Sequence, residues 1–203
     1  MEQDEFRTIT AMAKGLYKEK GSKFISIAVP VRDEDEVQGK LEEIRKQYHD
    51  ARHHCYAFRL GYKGETYRTN DDGEPSGTAG KPIYGQILSK ELTDILIIVV
   101  RYFGGTKLGV SGLITAYKSA SRDALEQAKI ITGTIDDCYE VHFAYPLMNE
   151  VMRLVKNYKL KLLNQHFELT CTIVFLVRRS KSGEVHEKFS KINGVKIGMA
   201  NIR

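Results

Sequence analysis

Ile95-Leu96-Ile97-Ile98-Val99-Val100-Arg101-Tyr102-Phe103-Gly104-Gly105-Thr106-Lys107-Leu108-Gly109-Val110-Ser111-Gly112-Leu113 is the stretch on which the fold turns. From about Thr93 to Tyr102 it is apolar and largely β-branched, the composition of a strand buried in mid-sheet. The glycine-dense half predicts a loop feeding a helix over about 111–129, with Ser111 as N-cap. Leu113, Ile114, Tyr117, Ala120, Ala124 and Leu125 form the inward face of that helix. Amides at a helix start lie at the positive end of the peptide dipoles, and glycine lets a ligand approach them. Arg101, Gly104, Gly105, Lys107, Gly109, Ser111 and Gly112 are therefore a candidate nest for phosphate, nucleic-acid backbone or carboxylate. The segment is no P-loop, because Lys107 precedes Leu108 rather than serine or threonine, and its glycine spacing is not that of a dinucleotide fingerprint.

Working outward, residues 6–31 read as two strands around a turn at Lys20-Gly21. A helix follows from Asp33, with Glu36 completing a capping box and Val37, Leu41, Ile44 and Tyr48 forming one apolar stripe. A strand spans about His53 to Tyr62, and a short helix begins near Thr78 or Pro82. The pattern restarts after a loop at 131–135. Strands over about 136–144, 159–166, 167–178 and 195–202 and helices after Pro146 and over 182–192 give β-α-β-β-α-β, a ferredoxin-like order. The expected class is α+β with two domains, 1–132 and 135–203.

A second glycine-dense segment, Asp71-Asp72-Gly73-Glu74-Pro75-Ser76-Gly77-Thr78-Ala79-Gly80-Lys81-Pro82, carries further candidates. Asp72 and Glu74 are the weak catalytic candidates, and Asp71, Ser76, Thr78 and Lys81 complete the loop set. The acids do not follow calcium-loop spacing, and the competing reading is that they fix the loop by accepting backbone hydrogen bonds. His53-His54-Cys55 puts only His53 and Cys55 on one side of a strand, and no second pair has zinc-site spacing, so neither metal nor cofactor is expected. Cys55 beside His54 is a possible nucleophile, against the commoner case of a buried thiol. Neither serine completes the G-x-S-x-G of a nucleophile elbow: Glu74 stands two residues before Ser76, and Leu113 two residues after Ser111.

Composition bounds the rest. The chain has 203 residues, 42% hydrophobic and 28% charged, as in an ordinary globular protein. Its longest apolar run, Ile95–Val100, is far below a membrane-spanning length. The acidic start, Met1 to Glu5, is unlike a signal peptide, and three scattered cysteines suit reduced thiols, so a cytoplasmic location is expected. The formal charge of +5 divides as +1 over residues 1–134 and +4 over 135–203. A basic second domain makes RNA a candidate partner, with Arg178, Arg179, Lys181, Lys188, Lys191 and Lys196 as phosphate contacts and Tyr158 and Phe167 as stacking groups.

Ala57-Phe58-Arg59, the Asp71–Pro82 segment and Arg101–Gly109 together resemble the signature of the YigZ/IMPACT family, over about residues 15–130. The resemblance implies a first domain similar to domain two of ribosomal protein S-five, an α/β sandwich with helices on one face of its sheet. It implies a second domain similar to the last domain of elongation factor G. The eukaryotic branch is associated with translational control. Its extra N-terminal RWD domain is not expected in 203 residues, and its partner is not carried over. Thr115 stands where the family often has arginine, which leaves Arg101 and Lys107 as the expected charges.

The leading expectation is a translation-associated protein that binds RNA or a ribonucleoprotein surface. One alternative is an enzyme or binding protein for a phosphorylated or carboxylated small molecule at the glycine-rich cleft. Another is a protein-interaction module built on the ferredoxin-like sheet.

Overall fold

A computed structural model describes residues 4–200. The strand expected to reach Ile202 and the first three residues of the acidic start extend outside the described residues. The chain divides into a larger unit, 6–133, and a smaller one of 134–200 joined by residues 4 and 5. Helices are interleaved with strands along the chain, and the strands of the two larger sheets pair antiparallel, which makes the fold α+β.

In the larger unit, β2 (Ala13–Glu19), β3 (Ser22–Pro30), β4 (His53–Leu60), β5 (Thr66–Asn70) and β6 (Ile95–Tyr102) form one antiparallel sheet in the order β2-β3-β6-β4-β5. The run from Ile95 to Val100 is fully buried because β6 is the central strand and both faces are covered. Helix α1 (Glu34–Gln47) lays Val37, Leu41 and Ile44 on the face made by Ile27, Val29, Tyr56, Phe58, Leu96, Ile98 and Val100. Helices α2 (Gly80–Ser89) and α3 (Gly109–Gln127) cover the opposite face, made by Phe24, Ala28, Cys55, Ala57, Ile97 and Val99. The expectation of helices on one face is corrected by this packing: a β6 of alternating apolar side chains needs two covers.

The start of α1 is built as its capping box implies, with Asp33 Oδ1 accepting the Glu36 N–H at 2.8 Å. The segment at 131–135, expected as a loop, is instead mostly strand β7 (Ile130–Thr134), which pairs with β1 (Glu5–Ile9) in a two-stranded ribbon. Both strands are short and lack clean alternation, so their sequences carry little signal.

In the smaller unit, β8 (Asp136–Ala144), α4 (Met148–Asn157), β9 (Lys161–His166), β10 (Thr170–Arg178), α5 (Arg179–Ser190) and β11 (Lys196–Met199) make an antiparallel sheet in the order β11-β8-β10-β9. Tyr139, Val141, Phe143, Cys171, Ile173, Phe175 and Val177 face the two helices, which contribute Val151, Val155, Val185 and Phe189. The alternate residues make a second sheet face that neither α4 nor α5 covers. No helix among the described residues is long and apolar enough to cross a membrane.

Candidate functional site

The loop between β5 and α2 is held by its own acids. The Asp71 carboxylate accepts N–H bonds from Gly77, Ala79 and Gly80 at 2.8, 3.0 and 2.8 Å. Burial raises its proton affinity, but these three donors, with Lys81 nearby, outweigh burial and hold the carboxyl below the usual range. Asp72 accepts the His54 N–H at 2.6 Å and lies 3.5 Å from Arg45. Thr78 is buried and donates its hydroxyl to the Pro75 carbonyl at 2.6 Å, whereas Ser76 and Lys81 are exposed. The geometry is therefore that of backbone anchoring for Asp71 and Asp72.

Glu74 does something different. Its side chain is 4% exposed, and Oε1 accepts from Arg101 Nη1 at 2.5 Å and from the Tyr117 hydroxyl at 2.8 Å. The Asp71–Pro82 segment is thus joined to the end of β6 and to α3. Arg101 lies inward because β6 alternates: Ile97, Val99 and Arg101 share the face covered by α3. Its guanidinium, 7% exposed, sits 5.3 Å from the Phe24 ring and 5.7 Å from Phe103, and its Nε has no hydrogen-bond partner among the described residues. This corrects the expectation that Arg101 offers its charge to an external anion: a carboxylate of the chain already occupies it.

The network ends at Cys55, whose thiol donates to the Asp71 carbonyl at 3.0 Å and the Tyr117 hydroxyl at 3.3 Å. Burial pushes the Cys55 thiol up far above its ordinary value, and burial likewise raises the Tyr117 phenol. Both groups hold their protons at neutral pH, so Cys55 is not a poised nucleophile. His53 Nδ1 lies 2.8 Å from the Asp72 carbonyl oxygen and His54 Nε2 lies 3.1 Å from that of Tyr48. Among the described residues, no three His, Cys, Asp or Glu side chains converge as metal ligands.

The glycine segment from Gly104 to Gly112 is more open. Helix α3 begins at Gly109 with Leu108 as N-cap and no side-chain cap, so Ser111 stands inside the first turn rather than at the cap. Thr115 returns its hydroxyl to the Ser111 carbonyl at 3.0 Å. Gly105 and Lys107 are exposed, and Gly104 is pressed against the β2–β3 turn: a Cβ there would lie 1.8 Å from the Gly21 carbonyl carbon. An open pocket of about 280 Å³ is lined by Tyr17, Glu19, Lys20, Leu108, Ser111, Gly112 and Thr115. Lys20 is thus the cation beside Ser111 and Gly112. Sequence reasoning missed it because the near-neutral sum over residues 1–134 hides how the charges are distributed.

The basic residues of the smaller unit do not form one cluster. Arg179 is bound to Asp137 through Nε and Nη2 at 3.1 and 2.8 Å, Arg178 lies 3.7 Å from Glu5, and Lys191 pairs with Glu187. Lys181 and Lys188 are exposed on α5, while Lys196 is on the uncovered face of the sheet. Register places Lys196, His142, Thr172 and His166 on one rung across all four strands of that face. The expected stacking groups are elsewhere: Tyr158 donates to Glu184 at 2.7 Å, and Phe167 is in the β9–β10 turn.

Residues 20–125 match the Impact N-terminal domain family. The chain is similar to the IMPACT family member YigZ of Escherichia coli, 30% identical over 173 residues that cover 84% of this chain and 85% of that one. It is 40% identical over 110 residues to the IMPACT family member YvyE of Bacillus subtilis; these residues span 54% of this chain and about half, 51%, of YvyE. A solved structure described as a hypothetical protein superposes with a TM-score of 0.70 at 26% identity, covering 99% of this chain and 98% of that one. On the domain match and the similarity to YigZ, the chain belongs to the IMPACT family.

Proposed function

We propose that the chain is a translation-associated protein that binds RNA through phosphate contacts on the uncovered face of the smaller sheet. The observation that carries the reading is the rung Lys196–His142–Thr172–His166, with Lys161 on the same face opposite Leu176. Lys161, Lys196, His142 and His166 are all exposed; His142 and His166 lie 3.5 and 3.1 Å from Glu140 and Glu168. Neither lysine has an acid partner among the described residues, so the two lysines carry the charge of this face. No Phe, Tyr or Trp stands on this face, so contact with the phosphate backbone dominates over base stacking. The family resemblance implies units similar to domain two of ribosomal protein S-five and to the last domain of elongation factor G, an implication that accords with work at the ribosome. The pairing of Arg101 with Glu74 weighs against a small anion as the ligand of the larger unit.

The test is filter binding of the full chain to a structured RNA at about 50 and about 200 mM salt, with a Lys161→Gln/Lys196→Gln variant alongside. Affinity falls with salt, and the variant loses about 0.7–0.9 of logarithmic salt slope per lysine removed. Salt-independent binding, or an unchanged slope in the variant, refutes the assignment to this face.

A further inference from the structure

We infer that the larger unit carries its own docking surface for an unpaired RNA strand, formed by the tip of the β2–β3 hairpin and the loop after β6. Four lysines meet there. Lys18 stands directly opposite Lys23 across the hairpin, Lys20 occupies the turn, and the contact of Gly104 with Gly21 brings the loop carrying Lys107 alongside. All four are exposed, and none makes an ion pair among the described residues. Glu19, the acid in this stretch, alternates to the side opposite Lys18 and Lys23, where it accepts from Tyr17 at 3.2 Å and lines the same pocket as Lys20. Other acids near the tip are already engaged: Asp50 accepts from the hydroxyl of Tyr102, opposite Lys23, at 2.7 Å, and Asp123 accepts the Leu16 N–H at 2.7 Å.

Two local choices here oppose folding. Like charges directly opposite on antiparallel strands repel, so the Lys18–Lys23 pair lowers stability. Lys20 and Gly21 have φ of 46° and 77°, a two-residue turn whose first position favours asparagine, aspartate or glycine over lysine. Two departures from local stability rules at one exposed tip are the pattern expected where function sets the residue. Phe103, 55% exposed, adjoins Gly104 and gives an unpaired base a ring to stack on, which favours a single strand over a duplex. This surface stands independently of the smaller sheet, and either can fail alone.

The experiment is fluorescence anisotropy of the full chain with a labelled oligouridylate of about 20 nucleotides, across a salt series. A Lys18→Gln/Lys20→Asn/Lys107→Gln variant binds about tenfold or more weakly, and its logarithmic salt slope falls by about 2. Phe103→Ala weakens binding about fivefold or more and leaves the slope unchanged. Lys23→Glu converts the repulsive pair to an attractive one: its melting temperature rises by about 1–3 °C while RNA affinity falls. A structural role for the lysine would lower both. The Lys161→Gln/Lys196→Gln variant, measured in parallel, reports the smaller sheet separately. Wild-type binding by the triple variant overturns the inference, as does a melting temperature lowered by Lys23→Glu. Binding to phosphatidylserine vesicles in preference to the oligonucleotide overturns it as well.

Discussion

Glu74→Ala is expected to be among the most destabilising substitutions in the larger unit. The change deletes the partner of a guanidinium that is 7% exposed and whose Nε already lacks an acceptor, so Arg101 keeps its charge with no carboxylate beside it. Breaking a buried pair from one side costs about 3–5 kcal/mol, and the Tyr117 hydroxyl loses its acceptor as well. At roughly 3 °C per kcal/mol for a domain of this size, the melting temperature drops by about 10 °C or more. The pair as a whole has a smaller net worth, because two desolvated charges offset most of their attraction. A Glu74→Leu/Arg101→Met double variant therefore recovers most of the loss. Urea unfolding followed by far-ultraviolet circular dichroism measures all three proteins. A single-variant loss below about 1 kcal/mol, or a double variant as unstable as the sum of its parts, refutes the reasoning.

Asp71 has a depressed proton affinity in the folded chain, so its contribution is present above the unfolded carboxyl value of about 4 and is lost as pH falls through the folded one. Asp71→Asn lowers stability at neutral pH and flattens the stability profile below about pH 4, as acid titration of unfolding will show. The Cys55 and Cys171 thiols, both 0% exposed, react with a disulfide reagent only on unfolding; rapid labelling of native protein at Cys55 contradicts the geometry above. Gly104→Ala places a methyl group 1.8 Å from the Gly21 carbonyl carbon and 2.1 Å from the Ser22 nitrogen. It costs about 1–3 kcal/mol by forcing the loop off the hairpin, measured by thermal unfolding.

The sequence spoke most clearly where periodicity was long or capping was local. The central strand at 95–102, the Asp33 cap and the β-α-β-β-α-β order of the smaller unit were legible because neighbours a few residues apart determine them. Pairing between distant segments was not legible. Strands β1 and β7 lie at opposite ends of the larger unit, and β5 is short and mostly exposed. The two glycine segments did meet, but Arg101 reached an acid 27 residues away, and alternation along β6 turned its side chain inward. Arg179 likewise found Asp137 across 42 residues. Summed charge pointed to the basic second half, whereas the repulsive Lys18–Lys23 pair needed strand register to be seen.

The dependence of RNA affinity on salt is the most direct test of binding through phosphate contacts. For the full chain and a single-stranded RNA between about 50 and 200 mM monovalent salt, log K against log salt should be linear with a slope of about −2 or steeper. A flat line, or no binding at the low-salt end, would contradict it.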